Sequence, residues 1–211
     1  MKKTNASAIE IIKTSAGRPR AARATQDILK TVLELGIESG FDTLTVEGVA
    51  ARAGVGKATI YRRWPNVWAI VADAVLTDVD QVAPVLQRAT ARESLEASMR
   101  LVARSFRGRH GKILRALIGR AQIDPALLDA LIQRWLLSRR QISREIVRRG
   151  IASGELRAGL DPDIVLDALY GPLYHHLLLP YDQDKARLSE GYIARLIDTV
   201  FGGLTTKQGV S

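Results

Sequence analysis

Apolar residues recur at helical spacing along almost the whole chain, and segments that alternate apolar and polar residues as strands do are nearly absent. Ile28, Val32 and Leu35 fall on one helix face with Leu29, Leu33 and Ile37 beside them, and Gly40 follows as a residue suited to stopping a helix. This periodicity, interrupted mainly at Gly and Pro, predicts an all-α fold of about nine helices. The expected spans are 22–39, 46–53, 57–64, 67 towards Pro84, 89–106, 112–121, 125–149, 162–178 and 183–201. Phe41 and Leu44 are core candidates in the first connection.

The chain has no cysteine, which removes disulfides, thiolate metal ligands and cysteine nucleophiles. No apolar run approaches the ~18 residues of a membrane helix, so no membrane is expected as a partner and a cytoplasmic protein is expected. Lys2 and Lys3 open the chain as a secretory signal would, but Glu10 and Lys13 interrupt any apolar stretch. Residues 1–21 therefore read as a flexible basic arm, and 206–211 as a frayed tail. The formal net charge of +9 points to a polyanionic partner without separating nucleic acid from other surfaces. The largest basic excess lies between Arg88 and Arg149, away from the segment that carries the DNA-binding pattern.

That segment is LTVEGVAARAGVGKATIYRRW, residues 44–64. It sets a short helix, a tight turn at Gly54 and a second short helix in immediate succession, the order of a helix-turn-helix. Val46, Val49, Ala50, Val55, Ile60 and Trp64 form its expected shared core. Thr45 caps the first helix, although Gly48 leaves out the acidic partner of a capping box, and Asn66 caps the helix that follows Pro65. Removing the core positions leaves Gly56, Lys57, Ala58, Thr59, Tyr61, Arg62 and Arg63 outward on the second helix, whose dimensions suit the major groove. Thr45, Gly56, Lys57 and Tyr61 are assigned to phosphate positioning, Thr59 and Arg62 to base contact, and Arg63 to either phosphate or solvent. Arg18 and Arg20 are candidates for the minor groove or for a free basic tail.

Thr45, Val49-Ala50, Ala53-Gly54-Val55, Thr59, Tyr61 and Trp64 closely match the pattern of the TetR family of repressors, and Gly17-Arg18-Pro19-Arg20 resembles the basic arm of many members. The strong match covers residues 25–71; the stretch REIVRRGIASGELRAGLDPDIVLDALYGPLYHHLLL is similar to one subgroup's regulatory domain. The resemblance implies a helix-turn-helix domain over 22–66 and an effector-binding and dimerisation domain over 67–205. It also implies a homodimer on a palindromic double-stranded DNA operator, released by a small-molecule effector. The last two long helices would pair with their partners, which makes Leu166, Leu169, Tyr170, Leu173, Tyr192, Leu196 and Val200 the interface candidates. Where the family often carries a lysine early in the fourth helix, this chain has Val67 and Trp68.

Arg104, Arg107, His110, Trp135, Tyr174 and His175 are the effector-site candidates. Arg100, Arg104 and Arg107 form a stripe that faces either an anionic effector or solvent, and solvent is favoured because arginine is seldom buried without a partner. Adjacent His175 and His176 point in different directions on a helix, so no metal site is expected. Gly54-Val55-Gly56-Lys57-Ala58-Thr59 is not a phosphate-binding loop, since Ala51 and Ala58 replace the leading glycine and the hydroxyl after lysine. No cofactor and no catalytic residue is expected. Two other classes stay open here: an architectural nucleoid protein with little sequence preference, and an all-helical enzyme.

Overall fold

The structure is a computed structural model that describes residues 17–179 and 188–204, with the side chains of 17–21 and 78–81 outside the description. It is all-helical. In chain order the helices are α1 (Gly17–Ser39), α2 (Val46–Ala53), α3 (Lys57–Tyr61), α4 (Val67–Val82), α5 (Ala91–Arg107), α6 (Arg109–Ala121), α7 (Pro125–Leu131), α8 (Leu137–Ala152), α9 (Pro162–Leu178) and α10 (Glu190–Leu204). A π-turn over Ile132–Leu136 joins α7 to α8 without a break, so the described residues form nine helical rods. Two compact units divide after Ala74. No helix among the described residues is long and apolar enough to cross a membrane.

In the first unit, Ile28 and Val32 of α1, Val49 of α2, Ile60 of α3 and Ile70 and Val71 of α4 are wholly buried. Their spacing is what the apolar stripes require, and burial of each contributes roughly 1.5–3 kcal/mol before entropy is subtracted. α1 begins at Gly17 rather than at residue 22, so Arg18 and Arg20 lie on its first turn instead of on a free arm. Pro19 is tolerated there because the first N–H groups of a helix have no partner within it. Residues 1–16 and 205–211, which hold most of the expected arm and all of the expected tail, lie outside the described residues. Gly40 follows α1 at φ 95°, a conformation open to glycine.

The second unit packs α5, α8, α9 and α10 around Leu95, Met99, Val147, Leu169, Leu173, Ile193 and Ile197, all fully buried. α5 starts at a capping box in which Thr90 and Glu93 satisfy each other's backbone N–H groups. A second carboxylate, from Glu155, accepts from Ala91 N at 2.7 Å and Arg92 N at 2.9 Å. It completes the cap from a loop more than sixty residues along the chain. Several arginines of the central segment pair with acids on the same or a neighbouring helix. Arg92 meets Asp198, Arg100 meets Glu96 and Glu190, Arg140 meets Asp163 and Asp167 at 2.6 Å each, and Arg144 meets Asp163 at 2.9 Å. Exposed pairs of this kind contribute about 0–1 kcal/mol each, so their main effect is to fix which helix faces lie together.

Candidate nucleic-acid interface

The helix-turn-helix is built from local signals. Thr45 is the N-cap of α2, its hydroxyl accepting from Gly48 N at 3.0 Å. Gly54 closes α2 in the left-handed conformation, φ 66°, and its N–H reaches the carbonyls of Ala50 and Ala51. Val46, Val49, Ala50, Ile60 and Trp64 are buried as expected, while Val55 is half-buried. α3 ends at Tyr61, short of the expected residue 64. Backbone bonds from Arg62 N to Ala58 O and from Trp64 N to Ile60 O carry the helical winding on to Pro65, which offers no N–H to continue it.

Two side-chain contacts fix the passage from α3 into α4. The Trp64 indole donates to Asp73 Oδ2 at 2.7 Å, tying the end of the recognition segment to α4. Asn66 caps α4 by accepting from Ala69 N at 2.9 Å. Trp68, early in α4, lies against Phe41 with ring centroids 6.4 Å apart. It is a packing residue here.

Gly56, Lys57, Ala58, Tyr61, Arg62 and Arg63 are all exposed, and Tyr61 is 52% exposed despite its large ring. Thr45 is exposed beside them on α2, whereas Thr59 is half-buried. Lys57 lies 3.3 Å from Glu47 Oε1, a pairing that sequence spacing did not signal. Glu47 accepts from its own backbone N–H and then from Lys57, and both hold its carboxyl below the usual carboxylate range. The pair is therefore intact near neutral pH and is lost only as pH falls through that lowered value. Glu47→Gln is expected to release Lys57, tighten binding to random duplex DNA and steepen its dependence on salt by up to about one phosphate contact. Fluorescence anisotropy over a salt series measures the slope; an unchanged slope would remove Lys57 from phosphate contact.

Residues 28–72 match the family described as bacterial regulatory proteins, tetR family, and residues 88–200 match the tetracyclin repressor-like C-terminal domain. The chain belongs to the TetR family. It is 32% identical over 193 residues to the uncharacterized HTH-type transcriptional regulator YdeS of Bacillus subtilis, covering 92% of this chain and 96% of that one. It is 26% identical over 174 residues to the DNA-binding transcriptional repressor TetR of Mycobacteroides abscessus, covering 82% and 89%. Among solved structures, the TetR family transcription regulator SCO0332 superposes with a TM-score of 0.69 at 29% identity over 87% of this chain and 99% of that one. FadR from Bacillus subtilis in complex with stearoyl-CoA shares the fold, with a TM-score of 0.67 at 21% identity over 84% and 97%. The protein is a DNA-binding transcriptional regulator of the TetR family, and α2 and α3 are its helix-turn-helix.

In the regulator's second unit the effector-site candidates separate. Trp135 and Tyr174 meet edge to face at 6.4 Å, with Phe106, which sequence reasoning missed, 5.3 Å from Tyr174. His110 is half-buried. Arg104 and Arg107 are exposed; Arg104 lies 3.6 Å from Glu190, and Arg107 donates to the Leu188 carbonyl. The arginine stripe thus braces the start of α10. His175 is exposed on α9, and its neighbour His176 bonds the Tyr192 hydroxyl at 3.2 Å.

The interface candidates also divide. Leu166, Leu169 and Leu173 are at most 2% exposed within one protomer, so they belong to its own core and have no side-chain surface left for a partner. Tyr170, Tyr192, Leu196 and Val200 are half-buried and keep one edge outward. α9 presents a different outward stripe of Ile164, Ala168, Gly171 and His175 at spacings of three and four residues, with Leu179 just past its end. Ile164 and Leu179 are 68% and 57% exposed.

Proposed function

We propose that the protein is a homodimeric repressor in the cytoplasm, whose two α3 helices read the halves of a palindromic operator and whose second unit binds a small molecule that releases the DNA. The observation that carries this reading is the outward surface of α3. Lys57, Ala58, Tyr61, Arg62 and Arg63 stand exposed together on a helix whose opposite side is anchored by buried Ile60 and Trp64. In this reading Lys57, Tyr61 and Thr45 serve phosphate contact and register, and Arg62 reaches a base edge. Half-buried Thr59 contributes through its exposed part. Gly56 lets the backbone approach the DNA closely, and Arg63 follows the phosphates. Arg18 and Arg20, on the first turn of α1, are the minor-groove candidates of this reading.

The dimer reading rests on the α9 stripe from Ile164 to Leu179, an apolar and small-residue surface suited to helix packing, with Tyr170, Tyr192, Leu196 and Val200 at its edges. Sedimentation velocity should give a dimer for the wild type and a folded monomer for the double variant Ile164→Glu and Ala168→Glu. Because both side chains are exposed in the protomer, the variant's helical content should be unchanged. A variant that stayed dimeric would move the interface to another surface. For the effector, the same fold holds stearoyl-CoA in FadR of Bacillus subtilis. Trp135 and Tyr174 are the candidates that lie together inside the second unit, with His110 nearer its surface. Arg104, Arg107 and His175 act at the surface in this reading.

A further inference from the structure

Phe106 of α5, Trp135 of the π-turn and Tyr174 of α9 bring one aromatic ring each to a single place in the second unit. Tyr174 meets the other two at interplanar angles of 67° and 65°, the edge-to-face arrangement that rings prefer. Trp135 is only 8% exposed, yet no protein group accepts from its Nε1–H. Among the described residues it is the one buried side-chain nitrogen or oxygen in that condition. Folds retain few such donors, because a buried polar group without a partner is destabilising.

The backbone is also unusual there. Between α7 and α8 the hydrogen bonding widens, and Leu137 N–H reaches the carbonyl of Ile132. Such π-turns are rare and concentrate at functional sites, where the extra residue turns a side chain away from its helical direction. The polar groups near the rings include two phenols and a guanidinium. Burial raises Tyr170 to about 12 and Tyr174 further, so both phenols stay protonated, and the charge of Arg139 acts on each. The Tyr170 hydroxyl pairs with Ser143, and Arg139 donates to the Ala83 carbonyl. Among the described residues no carboxylate acts on either phenol.

We propose that this cluster is the recognition point of the effector site and takes an apolar molecule bearing a carbonyl or carboxylate oxygen. That oxygen accepts from Trp135 Nε1–H while the hydrocarbon part packs on Phe106 and Tyr174. The assignment rests on the reading of the second unit as effector-binding. The free indole N–H and the nearby charge of Arg139 favour an acceptor oxygen over a cation. The acceptor oxygen, not the hydrocarbon alone, supplies selectivity, because a site built around an N–H donor rejects analogues that leave it unpaired.

The test uses the full-length protein labelled with [15N]tryptophan, in which the Trp135 indole N–H resonance is assigned by its loss in Trp135→Phe. Acetophenone and decanoate are the acceptor-bearing probes, one neutral and one anionic; ethylbenzene and decylamine are their shape-matched controls. Saturable downfield movement of the Trp135 proton with either acceptor probe, absent with its control, is the expected result. Trp135→Phe should weaken that probe's binding by about tenfold. No saturable movement with either acceptor probe, or equal movement with the controls, overturns the proposal. The wild-type spectrum decides this whether or not the variant folds. Operator release, followed by anisotropy on the same samples, separates the two readings. Movement of Trp135 without release supports the site and removes its regulatory role, whereas release with a still Trp135 resonance overturns the site and leaves effector control standing.

Discussion

Ala58→Glu is expected to abolish operator binding while leaving the helical fold and its thermal midpoint unchanged. Ala58 is exposed in the first turn of α3, between Lys57 and the half-buried Thr59. A carboxylate there meets no protein core. In the free protein it sits near the N-terminal end of a helix, where negative charge is mildly favourable. Against DNA the same charge approaches phosphates and base-edge acceptors, and a like-charge contact at an interface costs several kcal/mol. Affinity for a selected operator should therefore fall roughly a hundredfold or more, measured by anisotropy at fixed salt, with circular dichroism as the control on folding. Ala58→Ser, which adds volume and a neutral hydroxyl, should lose far less. Equal binding by Ala58→Glu and wild type would show that α3 does not enter the groove.

Gly111→Ala carries the largest expected effect on stability. The tight corner between α5 and α6 brings the backbone of Phe106 so close that a Cβ at Gly111 would stand 1.9 Å from the Phe106 carbonyl oxygen and 2.7 Å from its carbon. A flexible side chain could move aside, but here two backbones must separate. Overpacking typically costs about 1–3 kcal/mol, and a backbone clash belongs at or above the top of that range. Gly119→Ala on the same helix is the internal control. Its Cβ meets nothing within 4 Å, and an exposed helical glycine replaced by alanine stabilises by about 0.5–1 kcal/mol. Urea unfolding at one protomer concentration should move the two midpoints in opposite directions; a shared direction would contradict the packing at the α5–α6 corner.

What was legible in the sequence was local. Thr45, Gly54 and Asn66 act within four residues of themselves, so their capping roles follow from residue type and spacing. The same logic was available for the Thr90–Glu93 capping box at α5, a signal present in the sequence that the reading passed over. Contacts between distant segments had no such signature. Nothing in the spacing of Trp64 and Asp73, or of Glu155 and the start of α5, announces a hydrogen bond. Leu166, Leu169 and Leu173 show why apolar pattern alone does not separate a core from an interface. The stripe is read correctly, but which neighbour covers it depends on how α9 is rotated against α5, α8 and α10. The arginines show the electrostatic counterpart, since sequence gives the sign of a charge and not its partner. Arg100, Arg140 and Arg144 are held by acids on neighbouring helices. The π-turn that sets Trp135 has no recognisable sequence mark at all.

The central claim is that this TetR-family regulator reads DNA sequence as a dimer through α3. In vitro selection of random duplex DNA by the purified full-length protein at near-physiological salt, followed by sequencing, tests it most directly. The account predicts recovery of a short inverted repeat, with the preferred bases of its half-sites changed or lost when the selection is repeated with Arg62→Ala. Enrichment without a motif, as an architectural protein would give, or recovery of a single unrepeated site would contradict it.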